Sequence, residues 1–172
     1  MKSSRVLHFL ISLLAVCLLN AGSAHCAEPA PPKIDKIIVL KSERKLLLVS
    51  QEAVVKTYRV ALGKNPKGPK TQMGDHRTPE GSYVVDSRNP KSQYHRSLHI
   101  SYPNAQDKDR ARKLRKNPGG DIFIHGLPNG QGWIGKAHVL TDWTLGCIAV
   151  TNEEIEEIWR LVPNGTPIEI RP

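Results

Sequence analysis

Along residues 34–62, short apolar runs alternate with polar turns. Residues 37–40 and 45–49 are aliphatic or β-branched and flank Lys41-Ser42-Glu43-Arg44, while 54–62 (VVKTYRVAL) alternates apolar with polar positions. Branched side chains pack well on a pleated surface, so three antiparallel strands in a meander are expected. The pattern then breaks. Residues 63–81 are rich in Gly, Pro, Lys and Thr with no apolar period, which predicts a long surface loop of the kind that often carries function. Further short strands are expected over 82–86, after Thr78-Pro79-Glu80-Gly81, and over 99–102, before Pro103. Between 107 and 116 (DKDRARKLRK) the chain is strongly basic, helical or irregular, and Asn117-Pro118-Gly119-Gly120 closes it. Residues 122–124 form an apolar run suited to a buried strand, which delivers His125 to its C-terminal end.

The clearest helix signal follows residue 151. Thr151 and Glu154 have the spacing of a capping box, and Ile155, Ile158, Trp159 and Val162 recur at helical spacing. Pro163-Asn164-Gly165-Thr166 stops that helix, and 167–170 (PIEI) makes a last strand. No internal repeat is present. The expected fold is therefore mainly β, a β-sandwich or open barrel with one or two short helices.

The N-terminus departs from this pattern. Lys2 and Arg5 precede the only long apolar run, residues 9–19, which at about a dozen residues is short for a membrane span. The small residues Ala21, Gly22, Ser23, Ala24 and Ala27 follow it, as they do before the cleavage point of a secretory leader. The expected organisation is a signal peptide over 1–27, a Pro-rich linker over 28–33 (EPAPPK) and one catalytic-sized domain over 34–172. Cleavage after Ala24, Cys26 or Ala27 fits equally, and an uncleaved N-terminal anchor is the competing reading. A polytopic membrane protein is excluded. The protein is expected to be exported to the periplasm or cell wall, with no stable membrane span once the leader is gone.

Charge adds a partner class. The 172-residue chain has 25 Lys+Arg against 16 Asp+Glu, net +9, and loss of the leader removes two cations to give +7. A basic exported protein attracts anionic envelope polymers, and nucleic acid is not an expected partner outside the cell. The 107–116 segment is either part of such a surface or simply a solvated face. Cys17, Cys26 and Cys147 are the only cysteines, and cleavage after Cys26 or Ala27 leaves Cys147 alone in an oxidising compartment.

Cys147 stands in Thr144-Leu145-Gly146-Cys147, just ahead of the capped helix. A cysteine nucleophile needs access, a nearby base and donors for the oxyanion that its attack creates; glycine beside it lets an acyl group approach the backbone N–H groups. A cysteine after glycine is also a common small buried hydrophobe. His125, in Phe123-Ile124-His125-Gly126 and 22 positions earlier, supplies a base, and His138, nine positions earlier, competes for that role. One Cys with two irregularly spaced His residues lacks the repeated short spacing of a zinc site, so no metal is expected.

With these residues in view, the chain resembles the YkuD-type L,D-transpeptidases of bacterial cell walls. The resemblance rests on Gly74-Asp75, Thr78-Pro79-Glu80-Gly81 and Tyr83, then 98–104 (LHISYPN), then Ile124-His125-Gly126, then Thr144-Leu145-Gly146-Cys147-Ile148, in that order from residue 34 to the C-terminus. It implies a β-rich peptidoglycan cysteine transpeptidase domain, with Cys147 as nucleophile and His125 as base. Thr144, Leu145 and Gly146 then form the oxyanion motif, and the chemistry needs no cofactor. Two positions depart from the signature: Leu145 stands where many members have His, and Ala149 where many have Arg. The missing Arg removes a bidentate partner for substrate carboxylates. Gly146-Cys147-Ile148-Ala149 with Asp142-Trp143-Thr144 is similar to one subgroup of the family, so both departures read as variation.

The resemblance further implies stem-peptide contacts along one strand, from Tyr94, Ser97 and His99, with Gly126 beside the base. Residues 127–143 separate base from nucleophile and hold Gly130, Gly132, Gly135, Trp133, His138 and Trp143. That segment is a lid over the acyl-donor groove or an ordinary surface insertion, and its tryptophans stack on a stem peptide or fill core. The expected activity is removal of the terminal D-alanine of a tetrapeptide stem through a thioester, then transfer to an amine to form a 3→3 cross-link. A wall-peptide hydrolase using the same two residues, or a non-catalytic wall-binding module, are the alternatives.

Overall fold

The computed structural model describes residues 32–172. The expected leader and its cleavage point, the first part of the linker, and Cys17 and Cys26 lie outside the described residues. From residue 36 the aliphatic runs form β1 (Lys36–Leu40), β2 (Lys45–Ser50) and β3 (Ala53–Arg59), paired antiparallel with Ile37 opposite Leu48 and Leu46 opposite Tyr58. Period-two alternation sends Ile37, Val39, Leu46 and Leu48 to one face, where each is fully buried. Burial of each stabilises the sheet by roughly 1.5–3 kcal/mol.

The rest of the sheet assembles around a long strand. β4 (Gly81–Ser92) pairs over its first four residues with β8 (Pro167–Arg171) and over its remainder with β5 (His95–Ile100). β8 runs parallel to β1, β5 pairs with β6 (Phe123–His125), and β6 runs parallel to β7 (Ile148–Ala149). The order across the eight strands is β3-β2-β1-β8-β4-β5-β6-β7. Isolated bridges from Ala61 to Ala149 and from Gly63 to Thr144 then bring the two ends of the sheet together, giving the barrel-like closure that removes open edges. The fold is mainly β with few short helices, as its pattern implies.

Two expectations change in extent. The strand expected over 82–86 and the first half of the one expected over 99–102 are parts of a β4–β5 hairpin that runs from residue 81 to residue 100, while residues 101–102 lie beyond it. Asn89-Pro90 reads as a strand breaker, yet the register shifts between Asn89 and Ser92, and a bulge is where a strand tolerates proline. The basic segment is helical: α1 spans Ala105–Lys113, and its N-terminus is closed by a reciprocal box between Asn104 and Asp107. The second helix, α2 (Asn152–Leu161), begins at the Thr151/Glu154 box and buries Ile155 and Ile158 in the core that also holds Leu98, Ile124 and Ile148. Residues Gly132–Leu140 form a kinked 3-10 segment with non-helical backbone at Gly135.

The 63–80 loop is irregular but tightly held. Lys41 is buried, and its three N–H donors reach the carbonyls of Gly68 at 2.7 Å and Thr78 at 2.9 Å and the carboxylate of Glu80 at 2.7 Å. Asp75 accepts from the Lys70 ammonium at 2.8 Å and from the backbone N–H groups of Thr71, Gln72 and Arg77. These donors hold the Asp75 carboxyl below its usual range, although burial opposes them.

Candidate active site

Strand geometry places the two candidate groups. His125 ends β6, and Cys147 directly precedes β7; these strands are parallel neighbours, with Ile124 opposite Ile148 and His125 opposite Ala149. Both side chains line a cleft of about 390 Å³, together with Tyr94, Ser97, Trp143, Thr144 and Leu145. Asn89, Ser92, Gln93, Asp121 and Phe123 complete the lining.

His125 is held on three sides. Its Nδ1 lies 2.7 Å from the Gly126 carbonyl oxygen, and because a carbonyl only accepts, Nδ1 carries the proton and Nε2 is left as the free lone pair. The Tyr94 ring packs 4.5 Å from the imidazole centroid and Trp143 lies edge-on at 5.7 Å. Burial dominates the electrostatics and pushes the His125 pKa down to about 4; the Gly126 carbonyl opposes this and His138 adds a small downward push. The imidazole is therefore neutral at neutral pH and able to take a proton. Gly126 has its own packing reason to be glycine: a Cβ there would meet Asn152 Oδ1 at 2.8 Å and Ile155 Cγ2 at 3.0 Å. The same Asn152 oxygen accepts from the Leu127 N–H at 2.9 Å, which ties the strand end to the start of α2.

The Cys147 turn is braced by one hydroxyl. Thr144 Oγ1 donates to the Cys147 carbonyl at 2.7 Å and accepts from the Gly146 N–H at 3.1 Å. The Gly146 amide is thus engaged by the Thr144 hydroxyl within the turn. The amides of Leu145 and Cys147 have no backbone acceptor among the described residues. Gly146 itself adopts φ +135°, and a Cβ would stand 2.8 Å from the Arg77 carbonyl oxygen. Only glycine lets the turn sit this close to the 63–80 loop.

The thiol is half-buried and donates to the Asp121 carbonyl at 3.6 Å. Burial pushes its pKa up, with the Asp121 charge adding to the rise, while the Phe123 amide and the distant Lys70 charge act downward. A raised thiol and a lowered imidazole in the same cleft keep the proton on sulfur at neutral pH.

The remaining sequence candidates separate into two groups. Tyr94, Ser97 and Trp143 are in the cleft. His99 and Trp133 are not among its lining residues, and neither are Gly126 and His138. His99 sits further along β5, bound to Asp86 at 2.6 Å, with its ring against Phe123. Trp133 is 84% exposed on the 3-10 segment, so it does not fill core. His138 is buried, with neither ring nitrogen hydrogen-bonded. Among the described residues no group of three or more metal-ligating side chains converges.

Sequence reading missed the brace behind Trp143 and Thr144. Arg44, in the β1–β2 turn, grips both carboxylate oxygens of Asp142 at 2.8–3.2 Å, and Asp142 also accepts from the Leu62 N–H at 2.9 Å. The partners are 98 residues apart, and no local pattern announces them.

Residues 34–170 match the model of the YkuD family, the L,D-transpeptidase catalytic domain. The chain belongs to that family. YafK of Escherichia coli (strain K12) is 30% identical over 132 residues, covering 73% of this chain and 46% of YafK, so the chain spans about half the length of that relative. YkuD of Bacillus licheniformis is 32% identical over 137 residues, covering 80% of this chain and 66% of that protein. Both carry L,D-transpeptidase as a provisional name. Among solved structures, Bd1075 of Bdellovibrio bacteriovorus superposes with a TM-score of 0.57 at 28% identity, covering 84% of this chain and 49% of that chain. The family acts on cell-wall peptidoglycan. No helix among the described residues is long and apolar enough to cross a membrane.

Proposed function

We propose that this protein is an exported cysteine acyl transferase that works on peptidoglycan tetrapeptide stems in the periplasm or cell wall. Its support is the convergence of Cys147 and His125 in one cleft, with the imidazole fixed as the tautomer that leaves Nε2 free. In the first half-reaction Nε2 takes the thiol proton as Sγ attacks the carbonyl of the third stem residue. The amides of Leu145 and Cys147 receive the developing oxyanion, at about 3 kcal/mol per well-placed donor. Collapse expels the terminal D-alanine, whose nitrogen takes the proton back from His125, and leaves a thioester on Cys147. In the second half-reaction the side-chain amine of another diamino-acid residue attacks the thioester and forms a 3→3 cross-link. Tyr94, Ser97 and Trp143 border the stem peptide. The basic exterior, including α1, favours approach to anionic envelope polymers.

The test is incubation of the purified protein and its Cys147→Ala variant with disaccharide-tetrapeptide muropeptides, followed by mass spectrometry. Release of D-alanine with cross-linked dimer, by the parent protein alone, is the expected result. D-Alanine release with tripeptide acid as the sole product would reassign the protein as a hydrolase, and equal product from both proteins would remove Cys147 from the chemistry.

A further inference from the structure

The cleft has an unusual charge pattern for this chain. Among the described residues no lysine or arginine lines it, although the chain is net +9. Position 149 cannot supply a cation either, because Ala149 is fully buried in β7 and bridged to Ala61. With His125 neutral, the one formally charged side chain in the lining is Asp121. It lies two residues before β6, is exposed, and holds a left-handed backbone at φ +56°. Unlike Asp75 and Asp142, which are engaged by Lys70 and Arg44, it has no ion-pair partner among the described residues. Its backbone carbonyl lies 3.6 Å from Sγ, both residues line the cleft, and its charge acts on the thiol.

A carboxylate in that place hinders the first half-reaction, since it opposes negative charge on sulfur. It helps the second, in which the entering group arrives as an ammonium and its nitrogen must come within roughly 3–3.5 Å of the carbon bonded to Sγ. Taking the acyl-transfer reading above as given, we infer that Asp121 is the acceptor-recognition residue, a carboxylate that draws cationic amines to the thioester and favours them over water. The balance is simple. The R–NH3⁺ nitrogen gives up two protons, one through His125 Nε2 to solvent and one to sulfur; the C–N bond forms, the C–S bond breaks, and amide and free thiol result.

Two measurements test this with the full-length folded protein. The first needs no turnover: the rates at which Cys147 is modified by a cationic trimethylammonioethyl and an anionic sulfonatoethyl methanethiosulfonate, read by peptide mass spectrometry. The parent protein should favour the cationic reagent by about tenfold, a size typical of local electrostatic focusing. Asp121→Asn should abolish the preference, since asparagine keeps the left-handed backbone, and Asp121→Lys should invert it. The second is the ratio of amide to acid formed from the acyl-enzyme, with a cationic amine and with hydroxylamine, which is neutral at the assay pH. Asp121→Asn should lower that ratio about tenfold for the amine and leave it unchanged for hydroxylamine. No reagent preference in the parent protein, or a ratio that is unchanged or falls equally for both nucleophiles, overturns the assignment. So does a variant in which only acylation by a free-amine stem is slowed. If the reagent preference holds while every amine yields acid alone, the transfer reading of the function falls and cation recognition at Asp121 stands.

Discussion

The β6–β7 edge and the 132–140 segment each carry one buried histidine, and they treat it in opposite ways. At the strand edge, His125 has one nitrogen bonded to a backbone carbonyl, two aromatic rings against its faces and its other nitrogen in the cleft. On the 3-10 segment, His138 is buried with both nitrogens unpaired, while Trp133 and Leu140 of the same segment project into solvent. Burial lowers the pKa of both imidazoles. Under the proposed function, burial alone does not make a base: one nitrogen must be fixed so that the other is presented in a known tautomer to the reacting group.

The largest effect expected from breaking this comparison is on rate. His125→Ala should slow acylation of Cys147 by a β-lactam about 100-fold or more, a size typical of general-base removal, whereas His138→Ala should cost only a few-fold. Single-turnover mass spectrometry of both variants decides it, and a greater loss in His138→Ala would transfer the role to the 3-10 segment.

The next is a pH effect on stability. The folded His125 pKa of about 4 lies below the ordinary value of 6.5. Above pH 6.5 the group is neutral in both states and costs nothing. As pH falls from 6.5 towards 4 the unfolded chain binds a proton that the folded one excludes, so stability is lost across that window, by about 3 kcal/mol in total. Urea unfolding at pH 7 and pH 4 should show a smaller loss in His125→Gln than in the parent protein by this amount; equal losses would contradict a buried neutral imidazole.

Smaller changes separate the two regions by packing. Gly126→Ala should destabilise the protein by about 2 kcal/mol, because its Cβ meets Asn152 and Ile155 across the start of α2. Thermal unfolding measures this, and an unchanged midpoint would mean that α2 shifts to make room. The smallest expected effect has the opposite sign. His138→Phe should raise stability by up to about 1 kcal/mol, since it removes two unpaired buried nitrogens and retains a ring of similar size. A destabilised His138→Phe would show that those nitrogens have partners in solution.

How much was legible in the sequence differs by element. The helix after Thr151 announced its own start and stop, because capping and 3.6-residue periodicity are local. The β1–β2–β3 meander was equally clear from its aliphatic runs. The β4–β5 hairpin was only half legible: Asn89-Pro90 argues locally against a strand, and what rescues it is a bulge in the pairing with β5. Lys41 read as one polar residue in a turn, yet it is the buried anchor of the 63–80 loop, 27 residues from Gly68 and 39 from Glu80. The Thr144–Cys147 turn was visible as a motif, but the commitment of the Gly146 amide to the Thr144 hydroxyl was not.

The sequence by itself determined the mainly β fold class, the α2 helix, the first strand meander and the family, because these depend on residue type and short-range spacing. Tertiary structure decided which candidates share the cleft. Ser97 faces it two positions before His99, which lies outside, and such a division follows from pairing register and the course of the strand. It also decided that Asp121, unremarkable in the chain, is the charge beside the sulfur. Electrostatic and hydrogen-bond partners act over ångströms in space, and strand pairing brings together residues whose separation along the chain carries no trace of that distance.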